Sequence, residues 1–366
     1  MKLYSLLVNS AYSALSRQGK DGAMPRGRNG PWGCEDTPVR NTSNWLKLFL
    51  FAYGETGDKA FLSSGRKSLD YLLSEKARPY NAAFYCRRNY DRNKTNGLIG
   101  QAWVLESLIE SYAVFKYPGI ISVAGEVFML HPFDARRGLW HEIDVDGKAE
   151  NSCKAFNQQL WFAVMGLRIA RINRDLTIEK RVNRFFENIP LNFDTYGEGL
   201  IKHVIRKRKN YLLLLKRLKN IRKSSMHKRQ KALSSMYHLS LGYHSFNLYA
   251  FAMLKKFYPD FSFWKSAKFK KALRFIETEE YEKKLENHEY GFGYNVTGIE
   301  IAYVLSVFMG NSTDRQKYWL EKQLQKNYDF QANMLNRKTC DPETLSARLY
   351  EATRIRNIEL TLATFL

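Results

Sequence analysis

Two stretches, Asn96-Gly-Leu-Ile-Gly-Gln101-Ala-Trp103 and Ala155-Phe-Asn157-Gln158-Gln-Leu-Trp161, share one design: a polar or small-residue loop runs straight into an apolar, aromatic-rich helix. The same event occurs at Asp36-Thr-Pro-Val-Arg40-Asn41, Leu241-Gly-Tyr243-His244-Ser-Phe-Asn247, Tyr294-Asn295-Val-Thr-Gly-Ile-Glu300 and Asp341-Pro-Glu343-Thr-Leu-Ser-Ala-Arg348. Six such junctions, mostly 50 to 60 residues apart, leave room for one helix pair in each interval. A fixed period of this kind marks a repeat architecture. Six helical hairpins closed into a ring bring six inner-helix starts around one funnel, where function is expected.

Working outward, apolar periodicity predicts helices over 1–17, 44–53, 58–73, 98–115, 121–130, 153–170 and 175–189, then over 243–258, 263–277, 298–309, 313–327 and 342–355. Asp58 sits where a capping side chain is needed. The loop over 18–44 is long and rich in Gly, Pro and Arg, and long ordered loops are commonly functional. Residues 131–147 break the helical rhythm. Ile143 and Val145 alternate with charged residues before Asp146-Gly147, predicting a short β-hairpin over the funnel.

The interval from the third junction to the fourth is about 86 residues. The excess predicts a basic amphipathic insertion at 199–237 within an otherwise single all-α domain spanning 1–366. Thirteen Lys and Arg and no acid lie between Lys202 and Lys231, in a chain of net charge +22. Leucines interleave with Arg206, Lys207, Arg208, Lys209, Lys216 and Arg217, a pattern that suits an anionic membrane surface or an anionic polysaccharide. An arm packed on the ring is the competing reading. The segment lacks the aromatic interleaving that stacking on bases requires, which argues against nucleic acid.

The chain is 45% apolar and 14% aromatic, ample for a core and suited to a ring-binding cleft. It has no apolar run long enough to span a bilayer, and residues 1–10 do not read as a signal peptide. Four cysteines without a C-x-x-C pair point to free thiols in a reducing cytoplasm. No metal-ligand spacing is present, so neither metal nor cofactor is expected. The protein is expected in the cytoplasm, peripheral on the inner face of the membrane if the basic helix docks there.

Candidate chemistry falls into three groups. Glycoside hydrolysis needs two carboxyl groups. Glu300 stands out because it interrupts an apolar helix start, where a carboxylate is costly unless paired or catalytic. A salt bridge to Arg40 or Arg348 is the plainer explanation of the same residue. Its catalytic partner would be Asp36, Glu142 or Asp144, the last two sharing a face if 141–145 is a strand. His141, His238, Tyr243 and His244 are proton-transfer candidates, with His244 at a helix start. Arg40 and Arg348 suit a bidentate grip on a uronate or phosphate. Asn41, Asn96, Gln101, Asn157, Gln158 and Asn295 suit sugar hydroxyls, and Asp341, Glu343 and His141 complete the polar rim. Trp32 and Trp140, on loops, suit stacking on pyranose faces, whereas Trp45, Trp103 and Trp161 have core spacing.

The six-junction layout resembles the (α/α)6 toroid of the six-hairpin sugar-active proteins, which include unsaturated glucuronyl hydrolases, N-acylglucosamine epimerases and many glycosidases. Thr37-Pro-Val-Arg-Asn41, Asn96 to Trp103, Phe156 to Trp161, Asp341-Pro-Glu-Thr344 and Tyr350-Glu-Ala-Thr353 resemble the AglQ-type proteins of N-glycan and surface-polysaccharide assembly. The similarity runs over roughly 20–355, outside the basic insertion. It implies a glycan partner, free or lipid-linked, and leaves three activities open. These are hydrolysis by paired carboxylates, epimerisation or elimination by His244 and Tyr243, and a non-catalytic module that binds glycan or a glycosyltransferase.

Overall fold

The computed structural model describes residues 1–89, 93–205, 226–310 and 313–361. Inner helices α2 (Val39–Thr56), α4 (Gly97–Phe115), α6 (Phe156–Asn173), α9 (His244–Lys255) and α12 (Thr297–Phe308) stand around one axis. The sixth inner position is filled by α14 (Pro342–Ala347), which continues as a 3-10 helix over Arg348–Arg354. Each inner element touches the next, and the 3-10 helix returns to α2, so the ring is closed. Outside it stand α1 (Leu3–Leu15), α3 (Lys59–Leu73), α5 (Pro118–Leu130), α7 (Leu176–Asn192), α10 (Ala267–Phe275) and α13 (Thr313–Asn327). This is the (α/α)6 toroid. Two further helices, α8 (Met226–Gly242) and α11 (Glu279–Leu285), pack on each other beside the ring.

The layers follow from composition. Inner α4 is buried nearly all round, as a helix covered on both sides must be. Outer α3 and α7 bury one stripe only, including Phe61, Leu69 and Leu72 of α3 and Val182, Phe185 and Ile189 of α7. Asp58 and Asp175 cap these two helices by accepting from Ala60 N and from Thr177 N and Ile178 N. Chain ends close the ring: the Met1 amino group donates to Leu360 O at 3.0 Å and Leu3 N to Ile358 O at 2.9 Å.

Along the axis, Lys47 Nζ lies 2.5 Å from Glu106 Oε2 and 3.4 Å from the centre of the Tyr350 ring, and Arg354 also pairs with Glu106. Burial holds the Lys47 ammonium down to about 8 against the pull of Glu106. Glu106 is itself drawn down to about 2, because Arg354 and Lys47 outweigh its burial.

Three antiparallel strands, β1 (Phe133–Asp134), β2 (Leu139–Ile143) and β3 (Ala149–Ser152), lie in the order β1-β2-β3. The register slips between His141 and Ile143. A second hairpin, β4 (Tyr328–Asp329) with β5 (Met334–Leu335), was not legible in the sequence. At the basic segment, Leu200, Ile201 and Ile205 are buried in the ring, and Val204 bridges Ala155. Arg206, Lys207, Arg208, Lys209, Lys216 and Arg217 lie outside the described residues. Among the described residues no helix is long and apolar enough to cross a membrane.

Candidate functional site

A cavity of about 210 Å³ opens where the inner helices begin. All six starts contribute: Arg40 from α2, Asn96, Gly97, Ile99 and Trp103 from α4, Asn157 and Gln158 from α6, Tyr243 and Phe246 at α9, Tyr294 and Asn295 before α12, and Arg348 after α14. Loops add Asn29, Trp32, Arg87, Asn93, Glu142 and His203. Helix starts carry unpaired N–H groups and a partial positive charge, so they favour polar and anionic ligands.

The tightest part is the start of α4. Asn96 and Gly97 are both left-handed, with φ of 58° and 59°. Asn93 Oδ1 accepts from Thr95 N at 2.9 Å and Gly97 N at 3.2 Å. A Cβ on Gly97 would press on Gln158 Oε1 and come within 3.3 Å of the Glu142 carboxyl carbon. Glycine here lets the Glu142 carboxyl approach the helix start closely. Asn93 Nδ2 donates to Glu142 Oε2 at 3.2 Å. Burial pushes the Glu142 carboxyl above its ordinary range, opposed by Cys153, Arg87 and Asn93 and reinforced by Glu150.

Cations line much of the remaining wall. The Arg40 guanidinium lies 4.1 Å from the centre of the Trp103 ring and donates to Asn29 Oδ1 at 2.5 Å. Among the described residues, Arg40 Nε and Asn157 Oδ1 are buried without a hydrogen-bond partner, and Arg87 Nε has only the Asp36 carboxylate at 4.0 Å. Asp36 sits behind these arginines, 3.9 Å from Arg40 and 4.0 Å from Arg87, with neither oxygen hydrogen-bonded. Burial drives its carboxyl up to about 7, against both guanidinium groups. Arg348 is closely paired: Glu300 Oε1 and Glu351 Oε1 each lie 2.7 Å away, and Asn295 Oδ1 accepts at 2.5 Å. Trp32 Nε1 donates to Tyr243 Oη at 2.9 Å, fixing the indole at the mouth.

Of the residues singled out in the sequence, Trp32, Arg40, Asn96, Glu142, Asn157, Gln158, Tyr243, Asn295 and Arg348 meet on this wall. The others do not. Glu300 is fully buried behind Arg348, with Ser245 Oγ donating to its Oε2 at 2.6 Å. Burial raises it to about 7 in spite of Arg348, and Glu351 pushes the same way. His244 points away from the cavity; its Nδ1 accepts from Ile201 N at 3.2 Å and its Nε2 lies 3.0 Å from Ala272 O. Its low value, about 3, reflects burial. Trp140 is packed among Phe128, Phe133, Phe162 and Phe185.

Asp144 starts the turn after β2, so it shares no strand face with Glu142. Gln101 clamps the preceding loop through Phe84 N, Phe84 O and Thr95 O. Asn41 holds Pro25 O, and Asp341 caps α14 while accepting from Arg28 N and Gly30 N. Glu343 pairs with Arg17, and His141 faces Glu150 O. His238 pairs with Glu289 and stacks on His288.

Asn29, Arg87, Asn93, His203 and Tyr294 line the cavity without having been singled out as candidates. The long first loop was flagged, which pointed toward Asn29. His203 was hidden inside the segment read as a basic insertion. Among the described residues no group of three or more His, Cys, Asp or Glu could hold a metal ion.

No protein-family model matches the chain. Over 368 aligned residues it is 34% identical to archaeal glycosylation protein Q of Haloferax volcanii, covering 98% of this chain and 99% of that protein. The chain belongs to the archaeal glycosylation protein Q family. Solved structures share its fold at low identity. Cellobiose 2-epimerase from Bacillus thermoamylovorans B4167 is 10% identical, covers 96% of this chain and 98% of its own, and has a TM-score of 0.65. Unsaturated glucuronyl hydrolase from Bacillus sp. GL1 is 11% identical, with 96% of each chain covered and a TM-score of 0.63. An alpha-1,6-mannanase from Salegentibacter sp. HEL1_6 is 11% identical, with 96% and 97% covered and a TM-score of 0.56. The AglQ-type resemblance and the toroid expected from the six junctions both hold.

Proposed function

We propose that this protein is a carbohydrate-active enzyme of glycan biosynthesis that hydrolyses the bond next to one acidic sugar residue, with Glu142 as general acid. Glu142 carries the reading. Among the described residues it is the one carboxyl side chain on the cavity wall, and burial pushes it above the usual carboxylate range. A raised carboxyl is what protonation of a glycosidic oxygen requires. The relative's name, glycosylation protein Q, supports a role in glycan assembly.

The substrate class follows from the wall. A cavity of about 210 Å³ lies below the range typical of drug-sized ligands, which favours a single sugar ring. Arg40 keeps a buried Nε with no hydrogen-bond partner among the described residues, and Arg87 adds a second guanidinium to the wall, which suits a carboxylate or phosphate on that sugar. Asn96, Asn157 and Gln158 suit its hydroxyls. The basic stretch beyond Ile205 suits an anionic membrane and hence a lipid-linked oligosaccharide.

Full pairing of Arg348 by Glu300 and Glu351 favours a second reading, in which the cavity binds glycan without altering it. Mass spectrometry of lipid-linked and released oligosaccharides from the source organism, incubated with the purified protein, separates the two. Hydrolysis predicts products shortened at a terminal acidic residue, and E142Q should lower turnover by about 10²-fold or more. Unaltered but retained glycan would leave the binding reading.

A further inference from the structure

We propose that His203 is the base of this cavity, taking a proton from the water that attacks the sugar while Glu142 protonates the leaving oxygen. The inference rests on the hydrolytic reading above and adds the second group that such chemistry needs.

The backbone around His203 is pinned on three sides. Its N–H donates to Ser240 Oγ at 2.9 Å, its carbonyl accepts from Phe156 N at 2.9 Å, and Ile205 N donates to Lys154 O at 2.9 Å. These bonds fasten residue 203 between the start of α6 and the end of α8. The ring lies against Tyr243, with centroids 5.0 Å apart at 49°, and forms part of the cavity wall. Its Nδ1 is buried with no hydrogen-bond partner among the described residues. An orphaned ring nitrogen costs free energy until a ligand or water meets it.

His131 and His288 also keep an orphaned Nε2, but of these three histidines His203 is the one that lines this cavity. His244 spends both nitrogens on backbone groups, and His131 spends Nδ1 on His141 O. Among the described residues His203 has no carboxylate partner, and burial holds it down to about 4. It is therefore neutral near pH 7 and has an acceptor nitrogen to offer. Asp36, the other candidate base, is shut behind Arg40 and Arg87.

The step balances. A water O–H bond breaks and its proton goes to the imidazole. The water oxygen bonds to the anomeric carbon as the bond from that carbon to the leaving oxygen breaks. The leaving oxygen keeps that electron pair and takes the Glu142 proton. Imidazolium and carboxylate then return to their starting states by proton exchange with solvent. A single displacement inverts the anomeric configuration.

The test is nitrogen NMR of the full chain labelled at histidine, titrated with D-glucuronate while tryptophan fluorescence reports binding. H203Q assigns the resonance. Binding should move the His203 ring nitrogens and leave those of His244 in place. Binding that leaves His203 unmoved overturns this proposal alone. No binding at up to 50 mM, roughly the weak limit for a single sugar, overturns the acidic-sugar reading and this inference with it. With the glycan substrate, H203A and H203Q should each lower kcat by about 10²-fold or more with KM little changed. Added imidazole should restore part of the H203A rate, and the product should appear with inverted configuration. An unchanged kcat or a retained configuration would also overturn the proposal.

Discussion

E300Q tests whether the most conspicuous carboxylate of the sequence does chemistry or holds structure. Glu300 Oε1 lies 2.7 Å from Arg348, and Oε2 accepts from Ser245 at 2.6 Å. Burial raises its carboxyl from 4.5 to about 7. The group is thus more easily ionised in the unfolded chain, so its stability contribution is complete below pH 4.5 and is lost as pH rises through 7. A shift of this size corresponds to about 3 kcal/mol. Glutamine keeps an oxygen for Arg348 and offers an N–H to Ser245, so no polar group is stranded. Arg348 retains Glu351 at 2.7 Å, so the cost of about 3–5 kcal/mol for leaving a buried charge unpaired does not apply in full. The loss of one charged hydrogen bond, about 1.5–3 kcal/mol, then roughly offsets the relief of burying a charge.

Urea unfolding of both proteins at pH 5 and pH 8 measures this. Near pH 7 the two should differ by no more than about 1 kcal/mol, with E300Q gaining on the parent by up to about 3 kcal/mol between pH 4.5 and 7. Glycan turnover should stay within about tenfold of the parent, because Glu300 does not reach the cavity. A stability difference that is flat across this window, or a collapse of turnover in a folded E300Q, would refute the reasoning.

G97A places a Cβ on a left-handed residue and against Gln158 and Glu142. Denaturation should show a loss of about 1–2 kcal/mol, and turnover should fall further than in E300Q because the proposed acid is displaced. Unchanged turnover would remove Glu142 from the proposed role. Replacing residues 206–225 with a Gly-Ser linker should abolish flotation with anionic vesicles, since it removes nine Lys and Arg worth up to about 1 kcal/mol each near such a surface. Thermal unfolding of the ring should be unchanged, because buried Leu200, Ile201 and Ile205 are kept. Equal vesicle binding by the two forms would exclude this stretch as the anchor.

The site was half legible. Arg40, Asn96, Asn157, Tyr243, Asn295 and Arg348 were found because a helix start is marked locally by a polar loop meeting an apolar run. Glu300 and His244 occupy the same kind of position but turn away, one toward Arg348 and Ser245 and the other toward Ala272 and Ile201. On β2, Trp140 was read as a stacking surface, but it packs against Phe128, Phe133, Phe162 and Phe185. Glu142 lies at the register slip and reaches the cavity.

The sequence by itself determined the six junctions, the amphipathic outer helices and the aspartate cap at Asp58. Periodicity and capping are properties of neighbouring residues, so they survive in the order of the chain. Only the tertiary structure decided that Met1 meets Leu360 to close the ring, that Glu142 rather than Glu300 faces the cavity, and that His203 joins it from the start of the basic segment. Those choices depend on how each helix is rotated and where distant backbone atoms hold it. Packing sets both through contacts between residues far apart in sequence.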